Sequence, residues 1–263
     1  MKIKLFENRN GVFLKAYFPA DPAGSAGPAD SDASGAAAAP RPAAVICPGG
    51  GYRIVGTTEG APVAERFAAA GYAAFVLHYS VGDFARFDPA PGKGFAAFGP
   101  VLDLAEAMRV LRGRADEFGI DENKIVLAGF SAGGHLAAAY TLADSAAPAV
   151  PKELLPRALA LTYAMGGGAD SGGSAALGAG YEIAAMPYRE DGAEKAVPVF
   201  FHHAKDDAMV PFVCSERLDA RLSQEGIAHT FLREEHGVHA RPFEAGDAWF
   251  GAMLYWLEEA MQL

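Results

Sequence analysis

Residues 124–139 read KIVLAGFSAGGHLAAA, and the fold turns on how this stretch is read. Lys124–Ala128 is a short run of β-branched and aliphatic residues, the composition of a buried strand. Gly129-Phe130-Ser131-Ala132-Gly133 is a G-x-S-x-G sequence, and Gly134 to Ala139 reads as the start of a helix. A strand, a glycine-flanked serine and a helix in that order are what a nucleophile elbow requires, because a side chain at 129 or 133 would collide with neighbouring backbone in so tight a turn. Ser131 then projects from the edge of the sheet at a helix N-terminus, where the amide of Ala132 is available to an oxyanion. A plain strand-to-helix turn with Ser131 as N-cap is the simpler alternative.

Working outward, the same rhythm continues in both directions. Ala43–Cys47, Ala73–Leu77, Ala158–Tyr163 and Val197–Phe201 are continuous apolar runs of strand length, as expected for strands covered on both faces of a parallel sheet. Val101, Leu104, Ala105, Met108 and Leu111 line one helical face, and Trp249, Ala252, Met253, Trp256, Leu257 and Ala260 line another. Residues 2–6 and 12–18 are strand-like around the turn-forming Asn8-Arg9-Asn10-Gly11, which predicts an antiparallel hairpin. The expected fold class is therefore α/β: a mostly parallel, doubly wound sheet with an N-terminal antiparallel hairpin, helices on both faces and no large cap domain.

All 263 residues read as one domain carrying two low-complexity insertions. Residues 19–42 are almost entirely Ala, Pro, Gly, Ser and Asp, which lack the large apolar groups needed to offset ordering entropy, so a mobile surface loop is expected there. Residues 165–196, with GGGADSGGSAALGAG at 166–180, interrupt the α/β rhythm near the expected site.

Composition narrows the function. The 22 Lys and Arg against 32 Asp and Glu give a net charge of −10, the wrong sign for a binder of nucleic-acid phosphates. No apolar run approaches the roughly 18 residues that span a bilayer, so no membrane partner is expected. The opening MKIKLFENRNG has no apolar core of a signal peptide, and Cys47 and Cys214 cannot make a disulfide framework, which together predict a cytoplasmic protein. With no H-E-x-x-H and no C-x-x-C, neither a metal nor a cofactor is called for. Monomer and homodimer both remain open.

A serine hydroxyl needs a base, itself oriented by an acid. Two clusters offer them: HHAKDDAMVP at 202–211, expected just after the strand 197–201, and EHGVHA at 235–240, after the strand-like His229–Leu232 and before the last helix. Both land on the sheet edge from which Ser131 emerges. Placement favours His239 as base, with His236 its rival, and leaves Asp206 and Asp207 as neighbouring candidates for the acid. Pro48-Gly49-Gly50-Gly51-Tyr52 follows the strand 43–47 and supplies freely oriented amides for an oxyanion; a phosphate loop lacks its G-K-[ST] here, and a simple glycine turn is the bland alternative. Glu59, Tyr79 and Tyr188 are candidate substrate contacts, with a helix-start carboxylate and two partly buried tyrosines as the favoured readings, and Cys214, with Leu218 and Leu222 on its helical face, reads as a core thiol.

CPGGGY, EGAPVAERFAAAGYAAFVLHYSV, ENKIVLAGFSAGGHLAA, HHAKDDAMVP and EHGVHARPF together resemble the α/β-hydrolase superfamily, from about Ala43 to the C-terminus. More narrowly, the chain is similar to intracellular acetyl esterases and xylan or xylooligosaccharide deacetylases. The resemblance implies the α/β-hydrolase fold and hydrolysis of a small-molecule ester, with Ser131 as nucleophile, Asp207 of the D-x-x-V-P motif as acid and His239 of H-G-x-H as base. It also implies that Gly50 and Gly51 stabilise the oxyanion together with Ala132. Two positions depart from the pattern: Pro48 stands where related lipases have His, and Ala240 where Gly is commoner.

Overall fold

Side chains alternate across a strand, so the apolar runs dictate two cores rather than one. Val45, Phe75, Leu127, Leu159 and Phe201 fall on one face, and Ile46, Val76, Val126, Ala160 and Phe200 on the other. In the computed structural model, which describes residues 1–9, 11–20, 39–84, 94–147, 149–167, 182–189 and 197–263, these runs are central strands of one sheet. The strands are β1 (Lys2–Lys4), β2 (Phe13–Tyr17), β3 (Arg41–Cys47), β4 (Ala73–His78), β5 (Ile120–Phe130), β6 (Ala158–Thr162), β7 (Val199–Ala204) and β8 (His229–Glu234). Their spatial order is β1-β2-β4-β3-β5-β6-β7-β8. β1, β2 and β4 pair antiparallel, and every pair from β4 to β8 is parallel.

The helices are α1 (Ala61–Ala69), α2 (Gly99–Gly113), the one-turn α3 (Ala115–Phe118), α4 (Ala132–Leu142), α5 (Val213–Gln224) and α6 (Ala248–Met261). Leu104 and Met108 of α2, Leu136 of α4 and Leu222 of α5 join the Val45 face. Phe67 of α1 and Trp249, Met253 and Leu257 of α6 join the Ile46 face. Helices return the chain between β3 and β4, β4 and β5, β5 and β6, and β7 and β8, which is why both faces are covered. The chain leaves β3 toward β4 and leaves β5 toward β6, so the connections after these two paired strands run to opposite sides and open a crevice between them. That crevice is where an open α/β sheet holds its ligands.

Several boundaries differ from the sequence reading. β3 begins at Arg41, inside the stretch expected as loop, because Arg41 pairs with Ile120; Pro42 has no N–H to offer, and the register shifts between Arg41 and Ala43. β5 runs from Ile120 to Phe130, well beyond 124–128. β7 starts at Val199 and includes His202 and His203, which the sequence places in the following loop; pairing of His202 with Thr162 and Leu232, and of His203 with Arg233, carries the strand onward. α5 starts at Val213, two residues after Pro211. The loop expected at 19–42 falls at 21–38, and the insertion expected at 165–196 falls at 168–181 and 190–196, outside the described residues.

Candidate active site

Ser131 stands between β5 and α4 with φ 51° and ψ −120°, a backbone conformation that costs an L-residue on the order of 1–3 kcal/mol. Three hydrogen bonds hold it there: Ser131 N–H donates to Thr162 O at 3.1 Å, and Ser131 O accepts from His135 and Met165 N–H at 3.1 and 2.9 Å. The turn closes only without side chains around it. A Cβ on Gly133 would lie 2.0 Å from Cys47 O and 2.4 Å from Pro48 O, so α4 begins in direct backbone contact with the end of β3. The Ser131 side chain caps no helix N–H. It points instead to His239.

His239 Nε2 lies 2.9 Å from Ser131 Oγ, and His239 Nδ1 lies 2.8 Å from Asp207 Oδ2. Asp207 accepts at both oxygens, since Oδ1 takes the N–H of Met209 and Val210 at 2.8 and 2.9 Å. Its side chain is 2% exposed and that of His239 5%, so water does not compete for this line of bonds. Burial alone would raise the Asp207 carboxyl. The donors on it, His203, His239 and the amides of Val210 and Met209, outweigh burial and hold it far below the usual carboxylate range. An ionised Asp207 keeps the proton on Nδ1, which leaves Nε2 free to accept the Ser131 proton.

The neighbouring candidates go elsewhere. Asp206 Oδ2 pairs with His236 Nδ1 at 2.8 Å and its Oδ1 accepts Gly237 N–H at 2.9 Å, while the His236 side chain is 86% exposed. His202 stacks on Trp249 and bonds Glu234. His203 has a fixed tautomer: its Nε2 must donate to the Val210 carbonyl at 3.1 Å and lies 3.3 Å from Asp207 Oδ2, while Nδ1 faces Ser215 Oγ at 2.8 Å. His203 therefore braces the acid from within β7, a role its expected place in a loop concealed.

Gly50 has φ +124° and Gly51 φ +60°, and a Cβ on Gly50 would lie 2.2 Å from Ile54 O. Among the described residues no partner takes the amides of Gly50, Gly51 or Ala132. The amide of Gly49 is taken, by Glu59 Oε2 at 2.6 Å. Here the sequence reading is corrected: Glu59 caps no N–H of α1 but turns back to the glycine loop, because Gly60 occupies the N-cap and the buried Gly49 amide needs an acceptor. Tyr79 donates to Pro48 O at 2.6 Å beneath the same loop, and Tyr188 is buried under the Arg221 guanidinium. Cys214 packs half-buried at the edge of the core. Cys47 is fully buried, which pushes its thiol up and away from a nucleophile's range. Among the described residues no three His, Cys, Asp or Glu are placed to hold a metal ion, and no helix is long and apolar enough to cross a membrane.

Among the described residues, four of the five non-glycine residues with positive φ, namely Tyr52, Ser131, Tyr163 and Ala240, lie on the loops of this sheet edge. Strain concentrated in one place is held by the surrounding fold for a purpose other than stability.

Residues 33–149 match the BD-FAE family. The chain is 36% identical over 92 residues to endo-1,4-beta-xylanase B of Butyrivibrio fibrisolvens, and 34% identical over 103 residues to esterase LipC of Mycobacterium tuberculosis. These matches cover 35% and 38% of the chain but only 13% and 22% of the two curated relatives. Among solved structures, an α/β hydrolase enzyme from a Medee basin deep-sea metagenome library superposes with a TM-score of 0.75 at 26% identity, covering 100% of this chain and 98% of that one. An acetyl ester-xyloside bifunctional hydrolase from Caldicellulosiruptor lactoaceticus superposes with a TM-score of 0.69 at 24% identity, covering 99% and 92%.

Proposed function

The chain belongs to the α/β-hydrolase superfamily, and from that premise we propose that it is a carboxylesterase of short-chain esters, acetyl esters of sugars or xylooligosaccharides above all. One observation carries the reading: the unbroken line from Ser131 Oγ through both nitrogens of His239 to Asp207. Ser131 attacks the ester carbonyl as His239 Nε2 takes its proton. Asp207 holds the productive tautomer and stabilises the imidazolium. The carbonyl oxygen becomes an oxyanion beside the free amides of Gly50, Gly51 and Ala132, donors already aimed before charge develops. His239 returns its proton to the leaving alkoxide, the alcohol departs, and water repeats the sequence on the acyl-serine.

The sugar-ester class draws support from the named activities of the xylanase relative and the acetyl ester-xyloside hydrolase neighbour. Acyl size follows from composition, because the 165–196 insertion is rich in Gly, Ala and Ser and offers a long chain little to bury against. Each buried methylene contributes about 0.8 kcal/mol, roughly a fourfold gain in kcat/KM, and that gain should stop beyond about four carbons. A panel of 4-nitrophenyl esters from acetate to octanoate, run beside acetylated xylooligosaccharides and 4-nitroanilides, tests both parts. A kcat/KM still rising at octanoate, or cleavage of anilides in preference to esters, contradicts the reading.

A further inference from the structure

Glu59 is a buried carboxylate that the mechanism above leaves unused. It is 1% exposed, and its Oε2 accepts Gly49 N–H at 2.6 Å. A methyl group placed on Gly49 would touch that oxygen and Ser131 Cβ alike, each at 2.8 Å, so carboxylate and nucleophile press on the same point from two sides. One placed on Gly56 would meet the same oxygen at 2.9 Å. Glu59 Oε1 and the Tyr163 hydroxyl are both buried with no hydrogen-bond partner among the described residues. They face one another closely enough to couple their ionisation, though outside hydrogen-bond geometry, and the Tyr163 ring centroid is 4.6 Å from that of His239. A charge buried this deeply is costly to keep, and the start of α1 makes no use of it.

We propose that Glu59 is a positioning residue of the ester-hydrolysing site. It pins the Gly49 amide, which leaves those of Gly50 and Gly51 as the donors to the oxyanion, and it sets a carboxylate behind Tyr163, where it offsets the positive charge that His239 takes on during the reaction. The inference rests on the roles given to Ser131 and His239 above. The ionisable groups facing Glu59 are Tyr163 at the end of β6, Tyr79 after β4 and His239 after β8, with Asp207 acting on Tyr163 from the far side. Burial pushes the Glu59 carboxyl above its ordinary value, and the Gly49 amide, Tyr163 and a charged His239 offset that push only in part.

The test is Glu59→Gln in the full chain, assayed as kcat, KM and kcat/KM against pH with 4-nitrophenyl acetate. The carboxamide oxygen still accepts Gly49 N–H, so the fold is kept, which thermal melting checks, and only the charge is lost. The expected result is a kcat lower by about tenfold with KM changed less than about twofold. The acid limb of kcat/KM moves to lower pH, because a positive charge on His239 has lost a favourable neighbour. A carboxylate that merely supports the fold leaves that limb in place, so an unmoved limb, or a kcat within about twofold of the wild type, overturns the inference. Should Glu59→Gln not fold, Glu59→Asp decides. It keeps the charge but draws it back from Gly49, so kcat falls with the limb unmoved, and either an unchanged kcat or a moving limb overturns the inference. Failure of the wild type itself to turn over the ester removes the underlying reading instead, and no variant is needed to see it.

Discussion

Asp206 and Asp207 are adjacent in sequence and opposite in consequence. Neighbouring side chains on a turning segment point apart, and only Asp207 meets His239, while Asp206 holds His236 and the Gly237 amide at the surface. Asp207→Asn keeps the shape but loses the charge and the tautomer control, and kcat should fall on the order of 10⁴-fold. Asp206→Asn gives up a peripheral hydrogen bond worth roughly 1 kcal/mol, so its kcat should stay within about tenfold of the wild type. Steady-state kinetics on both variants, with circular dichroism as a check on folding, decide between them; the reverse ranking contradicts the assignment. Asp207 also ties activity to acid stability. Its carboxyl is lowered in the fold from an ordinary 3.8, so its contribution is complete above that value and is lost as pH falls toward the folded one. The melting-temperature gap between the wild type and Asp207→Asn should therefore be widest near neutrality and close below pH 3.8. A gap that stays constant with pH contradicts this.

Turns that carry the site impose the firmest demands on sequence. Gly133 has no room for a methyl group between α4 and the carbonyls of Cys47 and Pro48, and both obstacles are backbone. Gly133→Ala should cost more than about 3 kcal/mol, seen as a large fall in melting temperature or loss of soluble protein. Ala240 presents the opposite case. Its φ of 61° is the left-handed region that glycine adopts freely. Ala240→Gly should raise stability by a few tenths to about 1 kcal/mol in denaturant unfolding, and a clear loss contradicts the strain argument. Neither demand is visible as hydrophobic periodicity. The G-x-S-x-G spacing could be read because the turn forbids side chains, and the strands because burial on both faces forbids polar residues. Glu59 and His203 carried no such mark. Each looks like an ordinary polar residue until the fold supplies its partner, Gly49 for one and Asp207 for the other, from a distant element.

Across the whole molecule, the crossover from β4 back to β5 explains why residues spread over more than a hundred positions meet. β3 delivers Gly50 and Gly51, β5 delivers Ser131, β7 delivers Asp207 and β8 delivers His239, all at one edge of one sheet. The order of strands is therefore also the order of the chemistry, with oxyanion donors on one side of the nucleophile and acid and base on the other. Chain-length arithmetic and alternating elements were enough to foresee this sheet, but not where β5 and β7 end, because those ends are fixed by pairing with Thr162 and Glu234 rather than by local composition. On the proposed mechanism this convergence makes Ser131, alone among the serines, a nucleophile. Intact-mass spectrometry of the folded protein after a fluorophosphonate, with the adduct mapped by peptide digestion, tests this. A single phosphonyl group on Ser131 is expected, absent when the protein is unfolded first and absent in Ser131→Ala. An active, folded protein that takes no label, or takes it on another residue, contradicts it.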